Sequence, residues 1–279
     1  MRIGIGLPNT VLGMPGSLIP DWARRAEEHG FSGLATIDRL VYPNHDSLTS
    51  LAVAGAVTSR IELYTNILLA PLYPTPILAK TAATIDQVTG GRLTLGMTVG
   101  GRQDDYDAVG RDFSRRGRTF DQQLTELHAI WDGEPRWTPT PTNGVSVPIV
   151  FGGTSDAAVR RIVTWGTGWA MGGGTPEQAG QFIPRVRAAW ADAGRDGEPR
   201  LTALAYFSLG DDDTSRGYLK DYYAFTGPFA DVIADSALRT PEAINAAVAA
   251  FAEVGITDLY LDPTVPSLDQ IDGLAEVVR

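Results

Sequence analysis

The chain has 279 residues, 43% of them hydrophobic, enough to bury one large core. A formal net charge of −10 sets it against nucleic acid and anionic membrane surfaces, because phosphate repels it. With no cysteine there is no disulfide, thiolate metal site or cysteine nucleophile, and only His29, His45 and His128 could serve a histidine metal cluster, so no metal is expected.

Residues 2–7 read as a first strand with no leader pattern, and no run approaches a membrane span, so a cytoplasmic protein is expected. A Gly/Pro-rich loop follows to Pro20, then a helix over 21–29 stopped by Gly30. Residues 31–37 form the second strand, ending at Asp38-Arg39, and 47–57 a helix of small residues. Residues 61–69 read as a strand buried on both faces. Thr75-Pro76 then starts a helix, Thr as cap and Pro at the first helical position. Ile77, Thr81, Thr84/Ile85 and Val88 recur at helical spacing before Gly90-Gly91 ends the segment. Residues 92–99 make the next strand and open into Gly100-Gly101-Arg102. Strand, helix and strand with short joins form a parallel, right-handed unit.

The rest repeats this unit. Residues 106–110 are a short element of uncertain type, and Phe120, Leu124, Leu127, Ile130 and Trp131 mark a helix. Residues 132–147, with Pro135, Pro139, Pro141 and Asn143-Gly144, form an irregular connection. A strand over 148–151 ends in Gly152-Gly153-Thr154-Ser155 and leads to a helix over 156–164. Another strand, 168–171, is closed by Gly172-Gly173-Gly174 before the helix start Thr175-Pro176-Glu177, which Phe182, Val186 and Trp190 continue. Residues 201–209 form the seventh strand, broken by Gly210 and three aspartates, and 214–235 read as an extra helical excursion. Thr240-Pro241-Glu242 starts a helix, 256–261 is the last strand and 268–278 the last helix. Eight strands alternating with eight helices predict a single (β/α)8 TIM barrel, one domain over 1–279, with a helical insertion after strand seven. An open doubly wound sheet is the alternative and usually has fewer strands.

In such a barrel the chemistry sits where strands end and βα loops begin. That selects Asp38-Arg39, Thr65-Asn66, 100–106, 152–155, 172–175 and 211–214. Gly152-Gly153-Thr154-Ser155 at a helix start reads equally as a phosphate cradle or as a capped turn. Asp38 and Arg39 are an acid/base pair or an internal ion pair; Asp104 and Asp105 hold a cation or face a helix dipole. His45 reaches over the barrel mouth or lies in a surface loop. Tyr218, Tyr222 and Tyr223 wall a pocket or form the buried stripe of an accessory helix.

Residues 63–101, with Thr65-Asn66-Ile67, Pro76, Ala79-Lys80, Asp86, Thr89-Gly90-Gly91-Arg92 and Leu95-Gly96, resemble the luciferase-like flavin-dependent oxidoreductases. So do Arg116-Gly117-Arg118, Trp131-Asp132-Gly133, 148–155, Gly168-Trp169 and Thr240-Pro241-Glu242, in the family's order. The resemblance implies a TIM barrel binding reduced FMN or coenzyme F420 at its mouth, a small-molecule substrate, a separate flavin reductase as supplier, and a homodimer. It implies a bulge at Thr65, Asn66 and Ile67 under the flavin ring, with Asn66–Ile67 the candidate cis peptide. It places Gly100 and Gly101 along the ring edge or ribityl chain, Gly152, Gly153, Thr154 and Ser155 at the phosphate, and Gly172 and Gly173 at the cofactor's flank. Many members carry a histidine after the acid that ends strand two; here that place holds Arg39, so Asp38, Arg39 and His45 are the catalytic candidates. An FMNH2/O2-dependent monooxygenase leads this reading. An F420-dependent hydride-transfer enzyme and a non-catalytic flavin-binding barrel are its alternatives, and a metal-dependent hydrolase fits the scattered histidines poorly.

Overall fold

The structure, a computed structural model, describes residues 1–133 and 138–278. Pro135 of the expected irregular connection lies outside them. Eight parallel strands close a barrel in sequence order: β1 (Arg2–Gly6), β2 (Gly33–Thr36), β3 (Glu62–Leu69), β4 (Leu93–Thr98), β5 (Ile149–Gly152), β6 (Gly168–Met171), β7 (Arg200–Phe207) and β8 (Asp258–Pro263). Around them run α1 (Leu18–Glu28), α2 (Ser47–Ala56), α3 (Thr75–Val88), α4 (Gln103–Ala108), α5 (Arg116–Trp131), α6 (Asp156–Trp165) and α7 (Pro176–Asp192). The chain continues through α8 (Asp212–Tyr222), α9 (Phe229–Ser236), α10 (Pro241–Glu253) and α11 (Asp269–Val277). The TIM barrel is therefore as expected, and α8 and α9 occupy the excursion after the seventh strand.

The barrel interior is filled in layers by side chains of alternating size. At its base Arg200 donates to Glu62 and Asp258 at 2.5 and 2.9 Å, with Arg2 pairing both acids from the rim. Above this layer the rings of Tyr64 and Tyr260 meet at 4.9 Å, and the Tyr64 hydroxyl lies 3.0 Å from that of Thr202. Glycine makes room for Tyr260 and for Asp262. A Cβ on Gly4 would lie 2.4 Å from the Tyr260 ring, and one on Gly6 would lie 1.8 Å from an Asp262 carboxylate oxygen. The main hydrophobic core lies between the strands and the surrounding helices, with Trp22, Phe120, Phe151 and Trp169 among its largest members.

Some local expectations need correcting. Thr75 does not cap α3; Pro74 precedes the helix, Thr75 is its first residue and no side chain caps it. Thr175 and Thr240 do cap α7 and α10, accepting from Gln178 and Ala243. The helical spacing of Ile77 and Val88 marks the outer face of α3, 61% and 73% exposed, while Leu78, Ala79, Ala82, Ala83 and Ile85 pack inward. The two aliphatic stripes run side by side, and small alanines let α3 lie close on the barrel. Segment 106–110 belongs to α4 and the turn that ends it, and Asp211 is the N-cap of α8, accepting from Thr214 at 3.0 Å. Among the described residues no helix is long and apolar enough to cross a membrane.

Candidate active site

The C-terminal ends of β2 and β3 place an acid in the barrel mouth. Asn9 brackets the end of β2: its amide donates to the carbonyls of Ile37 and His45 at 2.8 and 3.0 Å and accepts from the Ile37 N–H at 3.1 Å. Two residues past β2, Asp38 is only 8% exposed. The Leu69 N–H donates to one of its oxygens at 2.9 Å, and the Tyr73 hydroxyl reaches both at 3.1 and 3.3 Å. Burial pushes the Asp38 carboxyl up to about 7; those two hydrogen bonds favour the charged form, and the negative charges of Asp46 and Asp105 oppose it. Tyr73 stays protonated, because burial and the Asp38 charge both push its hydroxyl up. A carboxyl half-protonated near neutrality can give or take a proton.

Two further ties hold this geometry. Gln123 on α5 donates to the Ala70 and Tyr73 carbonyls at 3.0 and 2.9 Å, which fixes the turn carrying Tyr73. Asp105 on α4 accepts from the Leu40 and Val41 N–H groups at 3.1 and 2.7 Å, locking the loop after β4 to the loop after β2. Three loops from three strands thus form one unit.

Between Asp38 and the barrel axis, β3 bulges. Its register against β4 shifts between Thr65 and Leu68, and the Asn66–Ile67 peptide is cis, where the resemblance placed it. Thr65 is buried beneath, its hydroxyl donating to the Gly96 carbonyl at 2.8 Å. Ile67 packs against Gly152, where a Cβ would come within 2.6 Å of the isoleucine. The Asn66 Nδ2 is buried without a partner among the described residues. Over this bulge opens a cavity of about 280 Å³. Leu69, Leu204 and Tyr206 give it apolar walls, and Tyr222 and Tyr223 at the end of α8 roof it.

The cavity brings together Asp38, Arg39, Asn66, Ile67, Gly101, Gly172 and Gly173 of the expected site. It does not include Thr65, Gly100, Gly152, Gly153, Thr154, Ser155 or His45. Gly100 turns at φ 71° beside Leu69. Gly153 and Thr154 are exposed at the start of α6, where the Gly153 carbonyl accepts from Trp169 and Ser155 caps the helix by accepting from the Ala158 N–H at 3.2 Å. The His45 ring is turned away, its Nε2 3.0 Å from the Met14 carbonyl, and it braces the loop after β1. Of the three tyrosines, Tyr222 and Tyr223 do wall the pocket, while Tyr218 is buried with its hydroxyl 2.6 Å from that of Thr10.

Sequence reasoning missed Tyr73 and Tyr206 as members of the site, and Asp262 within the barrel; Arg102 fell inside the selected loop 100–106 but was given no role. Tyr73 lies beyond its strand, just after a short 3-10 turn over Ala70–Leu72, and only the pairing of a buried acid with a nearby hydroxyl could have singled it out. Asp262, next to last in β8, is buried with both oxygens without a partner among the described residues, and burial holds its carboxyl well above the usual range. The periodicity placed strand eight two residues short, which hid this position.

The Asp38 proton has a stability signature. The folded protein keeps it up to about pH 7, whereas an unfolded chain releases it near pH 4. Stability therefore falls as pH rises from about 4 to about 7, by on the order of 4 kcal/mol at most. Urea unfolding at pH 5 and pH 8 should show this slope in the wild type and a shallower one in Asp38→Asn; identical slopes would contradict the assignment.

The sequence profile of the family described as luciferase-like monooxygenase matches residues 1–257. An uncharacterized protein of Mycobacterium tuberculosis is 31% identical over 199 residues, 65% of this chain and 69% of its own. Among solved structures, the monooxygenase RslO1 from Streptomyces bottropensis superposes with a TM-score of 0.85 at 21% identity, over 100% of this chain and 98% of that one. An F420-dependent secondary alcohol dehydrogenase, in complex with an F420-acetone adduct, superposes at 0.81 with 18% identity, over 99% and 98%. With the family profile covering most of the chain and the barrel, bulge and mouth arranged as described, this protein belongs to the luciferase-like monooxygenase family of flavin- or F420-dependent oxidoreductases.

Proposed function

We propose that the protein is a monooxygenase that takes reduced FMN as a diffusible partner, supplied by a separate flavin reductase, and oxygenates a small organic molecule with O2. The observation that carries this reading is a buried acid poised near neutrality at the edge of a cavity floored by the Asn66–Ile67 bulge. The residues present fit a flavin-type ring. Ile67 offers an apolar floor, and the unpartnered Asn66 Nδ2 is a donor awaiting an acceptor. A Cβ on Gly101, Gly172 or Gly173 would meet nothing, so the walls there leave open space at backbone distance. At about 280 Å³ the cavity is at the small end for a ligand site and suits a ring system with its phosphate outside. Gly152, Gly153, Thr154 and Ser155, at the exposed start of α6, are the residues to hold that phosphate, through backbone N–H groups and the helix dipole.

When bound, the reduced cofactor would supply two of the four electrons that O2 takes up, the substrate giving the other two as one oxygen enters it and the other leaves as water. The chain's own part is positioning and proton handling. Asp38 holds the proton that is gained or released at the reacting centre, with Tyr73 and the Leu69 N–H orienting its carboxyl. Tyr206, Tyr222, Tyr223 and Leu204 exclude water, which strengthens every charge interaction inside. Arg39 stays charged and cannot exchange a proton, so it does not replace the family's histidine as acid or base.

The same acid favours a second reading, hydride transfer with coenzyme F420, because converting an alcohol and a carbonyl into each other also moves one proton. A non-catalytic flavin carrier is the third. A cytoplasmic site of action accompanies all three, and the −10 charge sets the protein against nucleic-acid and anionic-membrane partners.

Asp38→Asn should lower turnover about 100-fold or more while leaving cofactor affinity unchanged, as removal of a general acid/base does. Tyr73→Phe removes a donor to the charged form and should move the Asp38 limb of the pH–rate profile to higher pH. Unchanged turnover in Asp38→Asn would sink the assignment. The homodimer belongs to this proposal too, and exposed Ile77 and Val88 on α3 with Val53 on α2 offer an apolar face for it. Sedimentation should give a dimer that Ile77→Glu dissociates; a monomeric wild type would refute it.

A further inference from the structure

We propose that the cavity receives a small organic anion, a carboxylate on an apolar or aromatic body, with its charged end between the guanidinium groups of Arg39 and Arg102. This rests on the catalytic reading above and names the class of substrate.

Arg39, from the loop after β2, and Arg102, from the loop after β4, both line the cavity. Both flank one ring: the Arg39 guanidinium carbon is 5.7 Å from the centroid of Tyr222, and that of Arg102 is 4.7 Å. Tyr42, at 4.9 Å, backs Arg39, and Phe225, at 3.9 Å, backs Arg102. The aromatic faces hold the planar groups in place without using their N–H donors. Those donors are largely unspent. Arg102 makes one hydrogen bond, from Nη2 to the Tyr222 carbonyl at 3.2 Å, and no ion pair among the described residues. Its Nη1 is buried with no partner among them, and so is the Nε of Arg39. The ion pair of Arg39 uses Nη2, 3.3 Å from the half-exposed Asp104 at the rim.

A buried guanidinium donor left without an acceptor is costly, and neither arginine can relieve the cost by losing its proton. The carboxyls nearby do not relieve it. Asp105, which also lines the cavity, spends Oδ1 on the Leu40 and Val41 N–H groups; its Oδ2 is buried without a partner among the described residues and hydrogen-bonds neither arginine, and Asp38 is held by Leu69 and Tyr73 and is half-protonated at neutral pH. A ligand carboxylate answers the geometry, since its oxygens accept two or more charge-assisted bonds from such donors. The remaining wall of Ile67, Leu69, Leu204 and Tyr206 suits an apolar body.

The anion could instead be the phosphate of the cofactor, and the test separates the two. Benzoate and its neutral counterpart benzamide are titrated by calorimetry into the cofactor-free and the FMN-loaded protein. FMN and riboflavin, which lacks the phosphate, are titrated into the wild type, Arg39→Met and Arg102→Met, with Arg39→Lys and Arg102→Lys as variants that keep the charge but lose the fork. Benzoate should bind about tenfold or more tightly than benzamide, and each methionine variant should lose that preference. The lysine variants should keep part of it, and the FMN-to-riboflavin affinity ratio should not change. Equal binding of benzoate and benzamide, or no benzoate binding at millimolar concentration, overturns the proposal. So does a fall in FMN affinity with riboflavin unaffected, which would give the arginines to the phosphate. The wild-type comparison of benzoate with benzamide needs no variant to fold and no cofactor to bind, so its failure is distinct from failure of the catalytic reading.

Discussion

Closure of eight parallel strands leaves one narrow interior, and filling it dictates where everything else can go. Tyr64 and Tyr260 cross there at 4.9 Å, with glycines at positions 4 and 33 leaving space for the Tyr260 ring and Gly96 for that of Tyr64. Below them the cluster of Glu62, Arg200 and Asp258 seals the base with charge-assisted hydrogen bonds. An interior so filled admits no ligand from below. Binding is confined to the C-terminal mouth, where βα loops are free to vary without disturbing the packing.

At that mouth, irregular backbone is held by side chains with no other task. Asn9 and Asp105 tie the segment after β2 to those after β1 and β4, and Gln123 ties α5 to the turn after β3, satisfying backbone groups that would otherwise be buried without partners. Their effect is to carry Asp38 out of water while keeping two donors on its carboxyl. Burial and hydrogen bonding oppose each other there, and burial wins, leaving the group near neutrality. The insertion after β7 completes the enclosure by laying Tyr222 and Tyr223 over the opening. The buried acid and the aromatic cover over it therefore come from different parts of the chain.

Much of this was legible in the sequence. Strand and helix alternation is a periodic signal, and the Gly-Gly and Thr-Pro punctuation marks where elements change, so the barrel and the loops at its mouth could be read directly. What periodicity cannot say is which of two apolar stripes faces in. On α3 the alanines turned inward and Ile77 and Val88 outward, because close packing on the barrel rewards small residues. Nor could spacing distinguish a histidine over the mouth from one bracing a loop, as His45 does against Met14. Tyr73 and Arg102 gain their places through contacts 35 and 120 residues away in the chain, and such pairings leave no local pattern. The resemblance carried the cis peptide and the bulge; Asp38's environment needed the three-dimensional structure.

If the mouth binds a reduced flavin-type cofactor, as proposed, anaerobic fluorescence titration of the purified protein will show it. FMN, reduced FMN, and oxidised and reduced F420 are compared under the same conditions. Reduced FMN should bind saturably, more tightly than oxidised FMN, and less tightly when a methyl group is added at Gly172 or Gly173 on the cavity wall. Preference for F420 would transfer the proton chemistry of Asp38 to a hydride-transfer enzyme. Binding of none of the four would contradict the cofactor assignment itself.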